Sequence, residues 1–209
     1  VGAISNDGDD ETDSRRGHVR VYQLIGPTWT QVGADIDGEA QDDNSGSSVS
    51  LSSDASRVAI GAPYNDGNGG ASSYTGHVRV YGLNGSVWNQ VGGDIDGEAA
   101  GDGFGTSVSM SSDGSTVAVG APGAPDGGPV AGHASVYKLS GATWTQVGAD
   151  IDGEAAADQM GYSVSVSSDG SRIAIGAPAY SGAGSYSGHV RIFSLTFSAP
   201  AAWSPAPYS

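Results

Sequence analysis

The stretch Gly17-His18-Val19-Arg20-Val21-Tyr22 returns unchanged as Gly76-His77-Val78-Arg79-Val80-Tyr81. It returns again as Gly132-His133-Ala134-Ser135-Val136-Tyr137 and as Gly188-His189-Val190-Arg191-Ile192-Phe193. Successive copies are 59, 56 and 56 residues apart. Between them, in constant order, lie Trp29, Trp88 and Trp144, then Asp-Ile-Asp-Gly-Glu-Ala at 35–40, 94–99 and 150–155, then Ser-Val-Ser at 48–50, 107–109 and 163–165. Each block closes on Val58-Ala-Ile-Gly-Ala-Pro63, Val117-Ala-Val-Gly-Ala-Pro122 or Ile173-Ala-Ile-Gly-Ala-Pro178. A shared register over so many landmarks is an internal repeat, and the repeat has to be read before any single residue.

One repeat holds four short segments with apolar residues at every second position, the pattern of half-buried strands. In the best-preserved copy these are Ser107–Met110, Thr116–Val119 across the Asp113-Gly114 turn, Ala134–Tyr137 and Thr143–Val147. Four such strands make one small antiparallel sheet that cannot bury both faces alone, so successive sheets must stack. The period and strand count predict an all-β chain, a β-propeller of four-stranded antiparallel blades. No segment carries a useful 3.6-residue apolar period.

Gly103-Phe104-Gly105-Thr106-Ser107-Val108, followed by Val117-Ala-Val-Gly-Ala-Pro122, resembles the FG-GAP repeat of the integrin α-subunit propeller and of many surface proteins. The resemblance extends over nearly all of residues 1–195, with Ser45-Gly46 and Met160-Gly161 standing where Phe-Gly is expected. It implies a propeller, usually of seven blades, at the cell surface or outside the cell. Such a propeller binds proteins or glycans through loops on one face, and the resemblance does not imply an enzyme. Many FG-GAP repeats also hold calcium between the first two strands of a blade. Here that connection is Ser53–Ser56, Ser112–Ser115 or Ser168–Ser171, and its single Asp cannot supply the six to eight oxygens calcium takes.

Counted from the Phe-Gly position, the chain holds a partial blade at 1–39, blades at 45–99 and 104–155, and a partial blade at 160–195. About 3.5 blades result, followed by a Pro-rich tail at 196–209 in which Pro200, Pro205 and Pro207 are expected to interrupt a ladder. The segment is therefore read as part of a larger ring, as a ring closed by two copies, or as a head-to-tail stack. Val1 in place of Met favours the first of these, part of a longer chain.

Composition narrows the partners. Of the 209 residues, 23 are acidic and 8 basic, a formal net charge of −15. Such a chain is repelled by nucleic acid and by anionic lipid, which both require a Lys/Arg footprint. No apolar run approaches the roughly 20 residues of a membrane-spanning helix. There is no Cys, which removes disulfides, thiolate metal sites and thiol nucleophiles.

The acids of the Asp-Ile-Asp-Gly-Glu blocks are the candidate metal ligands: Asp35, Asp37, Glu39 and Asp43, with Asp94, Asp96, Glu98 and Asp102, and with Asp150, Asp152, Glu154 and Asp158. Four carboxylates within nine residues either bind Ca²⁺ or accept backbone hydrogen bonds that hold the turn between blades. The acidic run 6–13 is expected to be solvated. The four His residues recur at one position that fans outward around a ring, so they do not converge on one ion and are read as strand caps. The Trp residues are read as packing between blades. Tyr64, Tyr74, Tyr180 and Tyr186 sit in variable loops at 64–75 and 179–187 that, with 5–16 and 123–131, emerge on one face and suit adaptable binding. Asn84-Gly85-Ser86 is a possible glycan acceptor.

The expected function is a non-catalytic module for adhesion or assembly, with a protein or glycan ligand or itself as partner. The alternative is a lectin, with or without calcium at those acids. A glycoside hydrolase is the remotest reading, because paired acids that recur in every blade serve the blade more readily than one active site.

Overall fold

In the computed structural model the described residues are 1–6, 15–66, 73–123, 131–182, 184, 186–195 and 203–205. The acidic run beyond Asn6, much of the variable loops and most of the tail lie outside them. Nineteen strands and no helix occur among the described residues.

The second and third repeats form complete blades. In one, β6 (Ser48–Leu51), β7 (Arg57–Ala62) and β8 (His77–Asn84) run antiparallel, and both β9 (Val87–Gln90) and β10 (Ile95–Asp96) pair with β8. The next repeats this with β11 (Ser107–Met110), β12 (Thr116–Ala121), β13 (His133–Ser140), β14 (Thr143–Gln146) and β15 (Ile151–Asp152). The last blade is β16 (Ser163–Val166), β17 (Arg172–Ala177), β18 (His189–Leu195) and β19 (Trp203–Pro205). The first repeat is divided between a three-stranded sheet of β1 (Gly2–Ala3), β2 (His18–Val19) and β5 (Ile36–Asp37) and a hairpin of β3 (Tyr22–Ile25) and β4 (Thr28–Gln31). These open, antiparallel sheets are a segment of a β-propeller, as the repeat implied.

Two features differ from the sequence reading. The Asp-Ile-Asp blocks are not free crossings between blades. Ile95 pairs with Val78 and Asp96 with His77, so this block is the second half of an outer strand interrupted at Gly92-Gly93, and Ile151-Asp152 pairs with β13 in the same way. Within 196–209, the segment Trp203–Pro205 forms an outer strand, with Trp203 opposite Leu195 as Trp88 is opposite Leu83. Pro205 is compatible with that position because an edge strand leaves one row of N–H groups unused.

The core lies between blades, where alternation sends one apolar row from each sheet. Ala59, Val78, Val80 and Ile95 of one blade meet Phe104, Val117 and Val119 of the next. Ala118, Ala134 and Val136 meet Met160, Ile173 and Ile175 in the same way. Phe104 and Met160 occupy the same repeat position, and both are fully buried.

Polar contacts fasten the same interfaces. Ser48 Oγ donates to the Gly105 carbonyl at 2.7 Å, and Ser107 Oγ to that of Gly161 at 2.8 Å. Ser50 and Ser109 Oγ accept from the Met110 and Val166 amides of the following inner strands at 3.0 and 2.9 Å. The repeated serines are therefore inter-blade connectors. In the tight turns, Asp54, Asp113 and Asp169 each accept from a Ser hydroxyl two residues before and from an amide two residues after. Those hydrogen bonds, the Ser hydroxyl first, hold all three carboxyls down at about 2.

Candidate functional site

The antiparallel register of β8 with β10 brings His77 beside the Asp-Ile-Asp block of its own blade, and β2 with β5 does the same for His18. Ligand atoms of Glu39, His77 and Asp94 lie within 4.8 Å of one another, as do those of His18, Asp35 and Asp37. The sequence reading took the four His as strand caps and missed that His18 and His77 stand next to acids. The shared repeat position of His and Asp-Ile-Asp was the available signal.

Arginine decides what these acids do. Arg79 Nε and Nη2 donate to the two oxygens of Asp94, both at 2.8 Å, and Nη2 also reaches Glu39. Gln90 adds a bond to Asp94 at 2.6 Å. Arg20 grips Asp35 in the same fork at 2.6 to 2.9 Å, with Gln31 at 2.7 Å. This pairing holds the Asp35 carboxyl down at about 2, and it lowers Asp94 as well. In the third repeat Ser135 replaces the arginine and donates to Asp150, with Gln146 at 2.7 Å. Asp43, Asp102 and Asp158 are buried, and each accepts from the amide three residues earlier, at 2.9, 2.7 and 2.8 Å. Asp43 also accepts from Asn65 at 3.0 Å, although its burial raises its carboxyl. Glu154 faces Arg191 at 3.6 Å. Asp37, Asp96 and Asp152 remain exposed on the strand edge, as does Glu98 in the turn that follows. Most of the expected calcium ligands thus hold local structure through charge-assisted hydrogen bonds, and a cation at Asp35 or Asp94 would compete with a bidentate guanidinium.

His77 is 3% exposed, and burial, followed by the charge of Arg79, pushes its imidazole down to about 4, against a smaller opposing effect of Asp94. The unfolded chain takes up a proton near pH 6.5 that the folded chain refuses until about pH 4. Stability should therefore fall between those values by up to about 3 kcal/mol. Urea unfolding at pH 7 and pH 4.5 should show this loss in the wild type and a much smaller one in His77→Gln. Equal losses would contradict the assignment.

The tyrosines do not gather as one set. Tyr64 and Tyr74 pack edge to face at 5.6 Å. Tyr180 lies on the His189 ring at 3.9 Å and borders a separate cleft with Tyr186, which is 80% exposed. Asn84 is exposed where β8 turns into β9.

A different cleft, of about 480 Å³, opens at one end of the inner strands. Strands β6, β11 and β16 stand side by side nearest the axis, and the residues just before them, Ser47, Thr106 and Tyr162, line the cleft. Tyr64 and Gln159 also line it. Tyr162 and Gln159 were missed as site residues because each stands at a repeat position otherwise filled by small or backbone-serving residues.

Residues 95–137 match the model of the FG-GAP repeat. No curated protein matches the sequence. Among solved structures, the fold is similar to a Bacteroides uniformis protein described as a 6-phosphogluconolactonase, with a TM-score of 0.60 and 10% identity over 98% of this chain and 52% of that one. It is also similar to the periplasmic gluconolactonase of Pseudomonas aeruginosa, with a TM-score of 0.53 and 14% identity over 90% of this chain and 51% of that one. The chain spans about half the length of both. At these identities the likeness is one of fold. It nevertheless corrects the expectation of no enzyme: proteins with this arrangement of blades are named as lactonases, so the fold does not exclude catalysis.

Proposed function

We propose that this chain, which carries an FG-GAP repeat at residues 95–137, is an assembly module that joins further blades of its own kind through the open faces of its first and last sheets. The carrying observation is a clasp found at two successive interfaces and left open at one end. Trp88 Nε1 donates to the Val32 carbonyl of the preceding repeat at 2.8 Å, and Trp144 Nε1 to that of Val91 at 2.7 Å. Trp29, at the same repeat position, is 66% exposed. It borders an apolar cleft of about 410 Å³ formed with Val19, Val21, Val49 and Leu51.

The opposite end is open in a complementary way. Val190 and Ile192 are 63% and 38% exposed, whereas Val78 and Val80, their equivalents under a following blade, are at 0%. Interior interfaces join one kind of face to the other, so the two ends of one chain fit the two ends of another. Contact of this heterologous kind closes a ring or extends a stack.

The native mass of the polypeptide tests the reading. Twice the chain's 20.7 kDa, or a ladder of multiples, is the expected result. Trp29→Ser should shift the distribution toward monomer while leaving the melting of the isolated chain nearly unchanged. A folded monomer at high concentration would overturn it.

A further inference from the structure

We infer that the axial cleft is a binding site for a neutral carbohydrate, held between Tyr64 and Tyr162 and hydrogen-bonded by Gln159 and Thr106. This goes beyond assembly, and it concerns a surface distinct from the blade faces that assembly would cover.

Charge is the first argument. In a chain with 23 acids and a net charge of −15, the described residues that line the cleft are Ser, Thr, Gln, Tyr, Pro, Gly and Ile, and none of them is Asp, Glu, Lys, Arg or His. An uncharged concavity on an acidic surface neither attracts anions nor pairs with cations. It suits a ligand whose polarity comes from hydroxyl groups. A few polar groups within an otherwise apolar, aromatic lining are the general make-up of a small-molecule site.

The cleft also breaks the repeat. Position 106 is Thr, with Ser47 as its equivalent, and both hydroxyls donate to a carbonyl of their own loop, at 2.6 and 2.8 Å. Each keeps acceptor lone pairs. The same position in the last repeat is Tyr162, a ring 56% exposed at the mouth and not packed inward. Three residues earlier, the repeat places Asn44 at φ 53° and Gly103 at φ 59°, left-handed conformations natural to glycine and common for asparagine. The last repeat adopts the same conformation with Gln159, also at φ 59°. A long side chain in that region is disfavoured, and such outliers concentrate where a side chain must be presented. Gln159 offers two donors and an acceptor, the set needed for vicinal hydroxyls. The Tyr64 ring, fixed edge to face by Tyr74, forms an aromatic wall for the apolar face of a sugar.

The neighbouring repeat supplies substitutions that should keep the fold. Tyr162→Thr and Gln159→Gly install the residues of the third repeat. The second also removes the left-handed penalty, so its melting temperature should not fall. The 209-residue chain is applied to an array of neutral and of sialylated or sulfated glycans, and the best neutral glycan is titrated in solution. Binding to neutral glycans is expected, at least tenfold weaker in each variant and unchanged in Tyr186→Ala, which lies in the separate cleft. No neutral glycan bound by the wild type, a preference for acidic glycans, or full binding in both variants would overturn the site. Native mass reads out independently: a wild type that associates but binds no neutral glycan would sink this site alone, and a wild type that binds the glycan as a monomer would sink only the assembly reading.

Discussion

Gly120→Ala is expected to destabilise the chain by about 3 kcal/mol or more, the upper end for overpacking and a large share of the stability of a single domain. A Cβ at Gly120 would stand 1.9 Å from the carbonyl oxygen of Gly161 in the next blade, and that oxygen already accepts from Ser107. Backbone is on both sides of the contact, so no rotamer change relieves it, and the two sheets would have to separate. Gly61, its equivalent, faces Gly105 at 2.1 Å, so the constraint recurs at each covered interface. The last blade provides the control. Among the described residues, the one close approach to a Cβ at Gly176 would be the Oγ of Ser163, at 2.4 Å, a side chain free to turn away. Gly176→Ala should therefore cost about 1 kcal/mol or less in the isolated chain, within the range of ordinary surface changes. If copies assemble through that face, it should weaken association instead. Urea unfolding of both variants checks the contrast, and equal costs would show that the close approach between blades is not what the glycine serves.

Phe104→Ala should cost 3 to 5 kcal/mol, the range for truncating a buried aromatic. The ring is 1% exposed, sits among Val78, Val80 and Val119, and meets Tyr137 edge to face at 6.1 Å. Little around it can collapse into the space, because its neighbours belong to two paired sheets. Phe104→Met should cost less than about 1.5 kcal/mol, since Met160 fills the equivalent position at 0% exposure and such volume-conserving changes are tolerated. Thermal unfolding orders the two variants. A Met substitution as damaging as Ala would mean that the aromatic contact with Tyr137, rather than volume, is what holds this interface.

The strands and the blade repeat were legible because alternation of apolar residues and fixed spacing are properties of the chain itself. The Gly-Ala-Pro and Phe-Gly letters were legible as a family pattern, but their reason was not. Gly120 and Gly161 are 41 residues apart and touch only when blades stack. The same holds for Ser48 and Ser107, whose hydroxyls read as ordinary strand-surface groups until the next blade supplies a carbonyl. The Asp-Ile-Asp acids looked like ligands because sequence shows which carboxylates are near each other along the chain. It does not show that an arginine from the adjacent strand lies across them. The axial cleft was invisible for a related reason: Tyr64 and Tyr162 come from different blades, and sequence does not show that the start of one inner strand meets a loop of another blade.

The order of residues alone determined an all-β chain, its repeat and its strands, since each depends on periodicity and turn chemistry over a few residues. Only the tertiary structure decided which glycines admit no side chain, which acids are neutralised by arginine, and which tyrosines share a cleft. Those outcomes depend on distances between blades about 56 residues apart in sequence, where sheet stacking, rather than local preference, sets what meets what.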